Sequence, residues 1–108
     1  MSDLAALQAQ AMKVRQLYNE LNRKDGHDQW GPKDYTLGFV GDVGDLVKIV
    51  MAKENMRNME EVDTKLTHEL SDCLWSVLVL AAHYGIDLEA SFTQTMRELE
   101  ERINGAMA

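Results

Sequence analysis

Apolar residues recur along this chain at spacings of three and four, the period of a helix rather than the alternation of a strand. Leu4, Leu7, Ala11, Val14, Tyr18 and Leu21 make the first such series, a narrow seam of the kind that runs along a neighbouring helix. Ser2 and Asp3 can cap it. The polar stretch 22–29 is a surface connection, closed by Trp30-Gly31-Pro32. Pro32 suits the start of a second helix, with Asp34 or Thr36 in its first turn. Gly38, Gly41 and Gly44 fall three apart along that helix and form a smooth strip, open to close approach by another helix or by a ligand.

Residues 54–58 make a polar hinge, and Glu60, Glu61 and Asp63 place negative charge in the first turn of a third helix. Its stripe of Leu66, Leu70, Cys73, Leu74, Val77, Leu78 and Ala81 is expected to be buried, with Cys73 a small core residue. Gly85 ends this helix, and Asp87 caps a fourth whose apolar positions are Leu88, Phe92, Met96, Leu99 and Ile103. Asn104-Gly105 is expected to stop it. No alternating run asks for a strand, and neither a repeat nor a linker divides the chain. The expectation is one all-α domain, residues 1–108, with helices at roughly 3–23, 33–53, 59–84 and 87–104.

Into this pattern the second and third helices each insert a pair of acids. Asp42 and Asp45 lie among Phe39, Val40, Val43, Leu46 and Val47; Glu69 and Asp72 lie among Leu66, Leu70, Cys73 and Leu74. Residues three apart share a helix face, so each segment presents two carboxylates on one side. For one such pair the ordinary reading is a solvated face. The same arrangement on the two most apolar helices, which must pack together, places four carboxylates at or beside one seam. Two carboxylates about 5 Å apart repel by roughly 3 kcal/mol at an effective dielectric near 20. Partly buried acids therefore need a counterion: protons or a divalent cation.

Composition narrows the choice. The chain is 45% hydrophobic and 27% charged, which is globular, and its formal net charge of −7 argues against a nucleic-acid backbone binder. The lone cysteine, Cys73, allows no intrachain disulfide and suits a reducing compartment. Residues 1–10 lack a signal-peptide pattern, and no stretch reaches the ~20 apolar residues of a membrane span. A cytoplasmic protein without membrane contact is expected. A di-iron bundle would call for Glu-x-x-His motifs, but Lys65 stands three residues before His68. An all-oxygen set suits Mg²⁺ or Mn²⁺, which share themselves with phosphate oxygens, so the expected chemistry is phosphoanhydride hydrolysis.

These words resemble those of the all-α nucleoside triphosphate pyrophosphohydrolases, the MazG-like and dCTP-pyrophosphatase-like proteins. That family carries Glu-x-x-Glu followed a helix later by Glu-x-x-Asp; here the pairs are Asp42-x-x-Asp45 and Glu69-x-x-Asp72. Leu37-Gly38-Phe39-Val40-Gly41-Asp42-Val43-Gly44-Asp45-Leu46, Glu69-Leu70-Ser71-Asp72-Cys73-Leu74-Trp75 and Gly85-Ile86-Asp87-Leu88 carry the likeness, over roughly residues 30–100. The resemblance implies a four-helix MazG-like fold that assembles into a homodimer or homotetramer. It also implies Mg²⁺-dependent cleavage of a nucleotide between its α and β phosphates. Asp42, Asp45, Glu69 and Asp72 would then be the catalytic metal ligands. Both acids of the first pair are Asp where the family usually has Glu, and Gly41 stands where many members carry a further Glu. Where relatives bring a Lys and an Asn to the nucleotide, this chain has Thr95 and Leu99. Lys48, Lys53 or Arg97 could supply the positive charge, and Trp30 either stacks on a base or serves as core or lid. The alternative is a divergent member acting as a binding or regulatory oligomer.

Overall fold

A computed structural model describes residues 3–108, so Ser2 and its expected capping role lie outside the described residues. Four helices follow one another: α1 (Asp3–Lys24), α2 (Pro32–Lys53), α3 (Val62–His83) and α4 (Leu88–Met107). No strand occurs among the described residues. The boundaries follow from local chemistry. Pro32 occupies the first turn of α2, where its missing N–H has no intrahelical partner to lose. The Asp34 carboxylate reaches back to accept from the Gly31 N–H at 2.9 Å. At the far end of α3, Gly85 adopts φ +65°, which lets its N–H bond Ala82 O and the Ile86 N–H bond Ala81 O. This is a Schellman closure, and α1 ends the same way at Gly26, α2 at Asn55. Asp87 then caps α4 by accepting from the Ala90 N–H at 3.0 Å.

Two boundaries differ from expectation. Glu61 takes a left-handed φ of +52° and becomes the N-cap of α3, so Glu60 and Glu61 precede the helix instead of lying in its first turn. α4 runs through Asn104-Gly105 to Met107; nothing closes its end as Gly85 closes α3, and one glycine costs a helix only ~1 kcal/mol.

α2 and α3 form the dominant pair. They are antiparallel: Lys53 meets Asp63 at one end, while Tyr35 and Trp75 stack edge to face at the other, centroids 5.6 Å apart. α1 crosses α3, where the Trp75 indole N–H donates to Ala11 O at 3.1 Å. Ala11, Tyr35, Leu78 and Val79 form the core, with Leu4, Met12, Trp75, Leu80 and Leu88 packed around them. α4 leaves α3 at 108° and buries none of its side chains. The result is extended: the radius of gyration is 17.3 Å, against about 13 Å for a compact domain of this length.

The burial pattern corrects two expected stripes. On α1, Ala11 packs inward but Leu7, Val14, Tyr18 and Leu21 are exposed, while Arg15, Asn19 and Asn22 are half-buried. Arg15 turns inward because its guanidinium lies over the Tyr35 ring, 5.6 Å from the centroid. On α3, Leu70 and Leu74 are exposed, and Cys73 is only half-buried. α2 likewise presents Leu37, Val40, Val47 and Val50 outward. The glycine strip of α2 is also open: a Cβ at Gly41 or Gly44 would meet nothing within 4 Å. Only Gly38 is approached, by the Trp30 ring.

Candidate metal centre

The antiparallel pairing of α2 and α3 sets Asp42 opposite Glu69 and Asp72. One carboxylate oxygen from each lies within 4.8 Å of the others, and all three side chains are half-buried. Asp45, one turn along α2, is exposed and adds its field to Glu69. The Glu69 carboxyl is pushed above its ordinary pKa, first by burial, then by a hydrogen bond with Asp42 that needs a proton on one partner, then by the charges of Asp42, Asp72 and Asp45. Its Oε1 is buried and has no hydrogen-bond partner among the described residues. The Cys73 thiol beside this group is pushed up for the same reasons, burial first and then Glu69, Asp42 and Asp72. It stays a neutral thiol next to the acids, not a thiolate among them.

Two clefts flank the acids along the α2–α3 axis. One encloses about 630 Å³ and opens toward α1. Tyr18, Trp30, Tyr35 and Trp75 line it, and Asp42, Asp72 and His68 stand at its inner end. These four rings form one edge-to-face series, Tyr18 on Trp75, Trp75 on Tyr35 and Tyr35 on Trp30, with centroids 5.9, 5.6 and 5.6 Å apart. Asn22 borders the same cleft, and the buried Tyr35 hydroxyl finds no hydrogen-bond partner among the described residues. The other cleft, about 440 Å³, lies toward the α2–α3 loop and is lined by Asp45, Lys48, Ile49, Met59, Thr64, Lys65, His68 and Glu69.

The side chains singled out for substrate therefore divide. Trp30 borders the aromatic cleft and Lys48 the second one. Lys53 is held by Asp63 at 2.6 Å, which keeps its ammonium protonated to higher pH. Arg97 lies on the projecting α4, bonded to Gln94 at 3.4 Å, and borders neither cleft. Tyr18, Tyr35, Thr64, Lys65 and His68 carry no motif of their own. The packing of α1 beside α3 brings Tyr18 to the cleft, while Tyr35 lies two turns before Asp42 on α2, and Lys65, His68 and Trp75 each lie within about one turn of Glu69 or Asp72 on α3.

A family model for the MazG nucleotide pyrophosphohydrolase domain matches residues 32–106, from the first residue of α2 almost to the end of α4. The chain belongs to that family. The match spans both acid pairs, so the arrangement above is this chain's form of a MazG domain. No curated protein matches the chain.

Proposed function

We propose that this MazG protein hydrolyses a nucleoside triphosphate between its α and β phosphates, yielding a monophosphate and pyrophosphate. Mg²⁺, or Mn²⁺ in its place, would be held by Asp42, Asp45, Glu69 and Asp72. The observation that carries the reading is the convergence of Asp42, Glu69 and Asp72 within 4.8 Å. The residues fit a hard divalent cation: the donors are all carboxylate oxygens, Glu69 Oε1 lacks a hydrogen-bond partner among the described residues, and burial together with the neighbouring acids raises the Glu69 pKa. When bound, such an ion offsets charge on phosphate oxygens and lowers the pKa of an attacking water.

The chain's own residues do the rest. The acids fix where the α-phosphate sits. The aromatic cleft has the size of a small-molecule site, and its rings would exclude water around base and sugar while Asn22 hydrogen-bonds polar edges. Trp30, half-exposed at the rim, is placed to stack. Lys48 would face phosphate oxygens. Lys53 would have to leave Asp63 to reach them, and Arg97 would act only where assembly carries α4 to a site.

Assembly is part of the proposal. The outward Leu37, Val40, Val47 and Val50 of α2, Leu7 and Leu17 of α1, and Phe92 and Met96 on the projecting α4 suit a homodimer or homotetramer. The lone thiol fits a cytoplasmic setting.

A second reading, a binding or regulatory oligomer that keeps the fold, is favoured by α4, where Thr95 is exposed, Leu99 is half-buried and neither offers a charge. The discriminating experiment is turnover of a panel of canonical and modified nucleoside triphosphates with Mg²⁺. Pyrophosphate release abolished by Asp72→Asn supports hydrolysis. Absence of turnover on every nucleotide, alongside metal-dependent stabilisation, supports the second reading.

A further inference from the structure

Of the three carboxylates that converge between α2 and α3, Asp42 and Glu69 are tied to each other by a hydrogen bond. The third, Asp72, is held from outside the acid set. Its Oδ2 lies 3.2 Å from Nε2 of His68, one turn earlier on the same face of α3. A carboxylate only accepts, so Nε2 carries the hydrogen of this contact. The ion pairs among the described residues are Lys53 with Asp63 and His68 with Asp72, so His68 is there the only basic side chain bonded to the converging acids. It borders both clefts, which places the imidazole where they meet beside those acids.

The pair is a poor source of fold stability. The His68 side chain is 76% exposed and that of Asp72 43%, and an exposed pair of this kind contributes little. Its effect is on geometry. A ligating carboxylate that is itself hydrogen-bonded is oriented in advance, and loss of such a partner typically weakens metal binding by about 10- to 100-fold. We propose that His68 is a positioning residue for the cation: its Nε2–H occupies Oδ2 of Asp72 and sets the carboxylate so that Oδ1 meets the ion shared with Asp42 and Glu69. The assignment rests on the metal site proposed above but not on hydrolysis, because cation affinity is measurable without turnover. In the sequence His68 matters only for the Glu-x-x-His motif it fails to complete; its partner lies four residues ahead instead.

The test is Mn²⁺ binding to the full chain without nucleotide, followed by the electron paramagnetic resonance signal of the free ion, in the parent and in H68A, H68Q and H68N. The Gln amide nitrogen reaches as far as Nε2 and the Asn amide nitrogen only as far as Nδ1, so Gln can replace the donor and Asn cannot. H68A and H68N should weaken Mn²⁺ binding by roughly tenfold, while H68Q should stay within about threefold of the parent. All three variants should melt without metal within about 3 °C of the parent, as befits an exposed pair. A loss in H68Q as large as in H68A, or full affinity in H68N, would overturn the assignment. So would a loss of affinity matched by a fall in metal-free stability. A strong nitrogen hyperfine coupling to bound Mn²⁺ in the parent, absent in H68A, would also overturn it by making His68 a direct ligand. If the parent binds no Mn²⁺, the metal site fails and the assignment with it. If the parent binds and H68A binds equally, the assignment fails and the metal site stands.

Discussion

Glu69 is the residue on which stability and function pull in opposite directions. Its carboxyl is half-buried, faces Asp42 and Asp72, and has an oxygen without a hydrogen-bond partner among the described residues. Because its folded-state pKa lies above the unfolded value, the metal-free native state is most stabilised while Glu69 is protonated. That stability is lost as pH rises from the ordinary carboxylate range through the raised value. Glu69→Gln should therefore raise the metal-free melting temperature at neutral pH, by about 4 °C for ~1 kcal/mol of relieved repulsion. It should also abolish the thermal response to millimolar Mg²⁺. A lower melting temperature with an intact Mg²⁺ response would show that the acids do not act as one group. Proton and cation compete for the same oxygens, so Mg²⁺-induced stabilisation of the parent chain should shrink as pH falls toward 5. A pH-independent shift in melting temperature would place the cation elsewhere. The acids themselves were legible in the sequence, since Asp42, Asp45, Glu69 and Asp72 announce a shared face through their spacing of three. The part of Tyr18 was not: it reaches the cleft only because α1 lies beside α3, and no local period encodes that.

At the scale of elements, helix ends govern where these side chains fall. Gly85 holds φ +65°, and its N–H and that of Ile86 close α3 and aim α4 away from the body. Gly85→Ala should cost about 1 kcal/mol in urea unfolding, through strain in the left-handed region rather than through any clash, because a Cβ there meets nothing within 4 Å. A neutral substitution would mean that the turn relaxes freely. The ends marked by glycine, proline and Asp87 were readable because those residue types have specific backbone consequences. The start of α3 was not: Glu61 adopts a left-handed φ for which its side chain has no preference, and the helix begins later than its acids suggested. The α1 row shows a related limit. Periodicity finds an apolar face but not its partner: here Ala11 packs into the core, Val14, Tyr18 and Leu21 line the aromatic cleft, and Leu7 is exposed.

For the whole molecule, an extent of 59 × 40 × 25 Å and a projecting α4 with no buried side chain describe a protomer whose apolar faces are only partly covered. Copies of the chain associating through these faces would bury them. Val47→Glu, on the outer face of α2 and outside both clefts, should shift the sedimentation of the protein toward the monomer by placing a charge in that interface. Unchanged sedimentation, or a parent chain that is already monomeric, would contradict assembly through this face. The central claim is that the carboxylates between α2 and α3 direct cleavage to the α–β bond of a nucleotide. Phosphorus NMR of a nucleoside triphosphate incubated with the protein and Mg²⁺ tests it most directly. Monophosphate and pyrophosphate should grow together in equal amounts, and neither should appear with Glu69→Gln. Orthophosphate with diphosphate, or pyrophosphate release that survives the loss of Glu69, would contradict it.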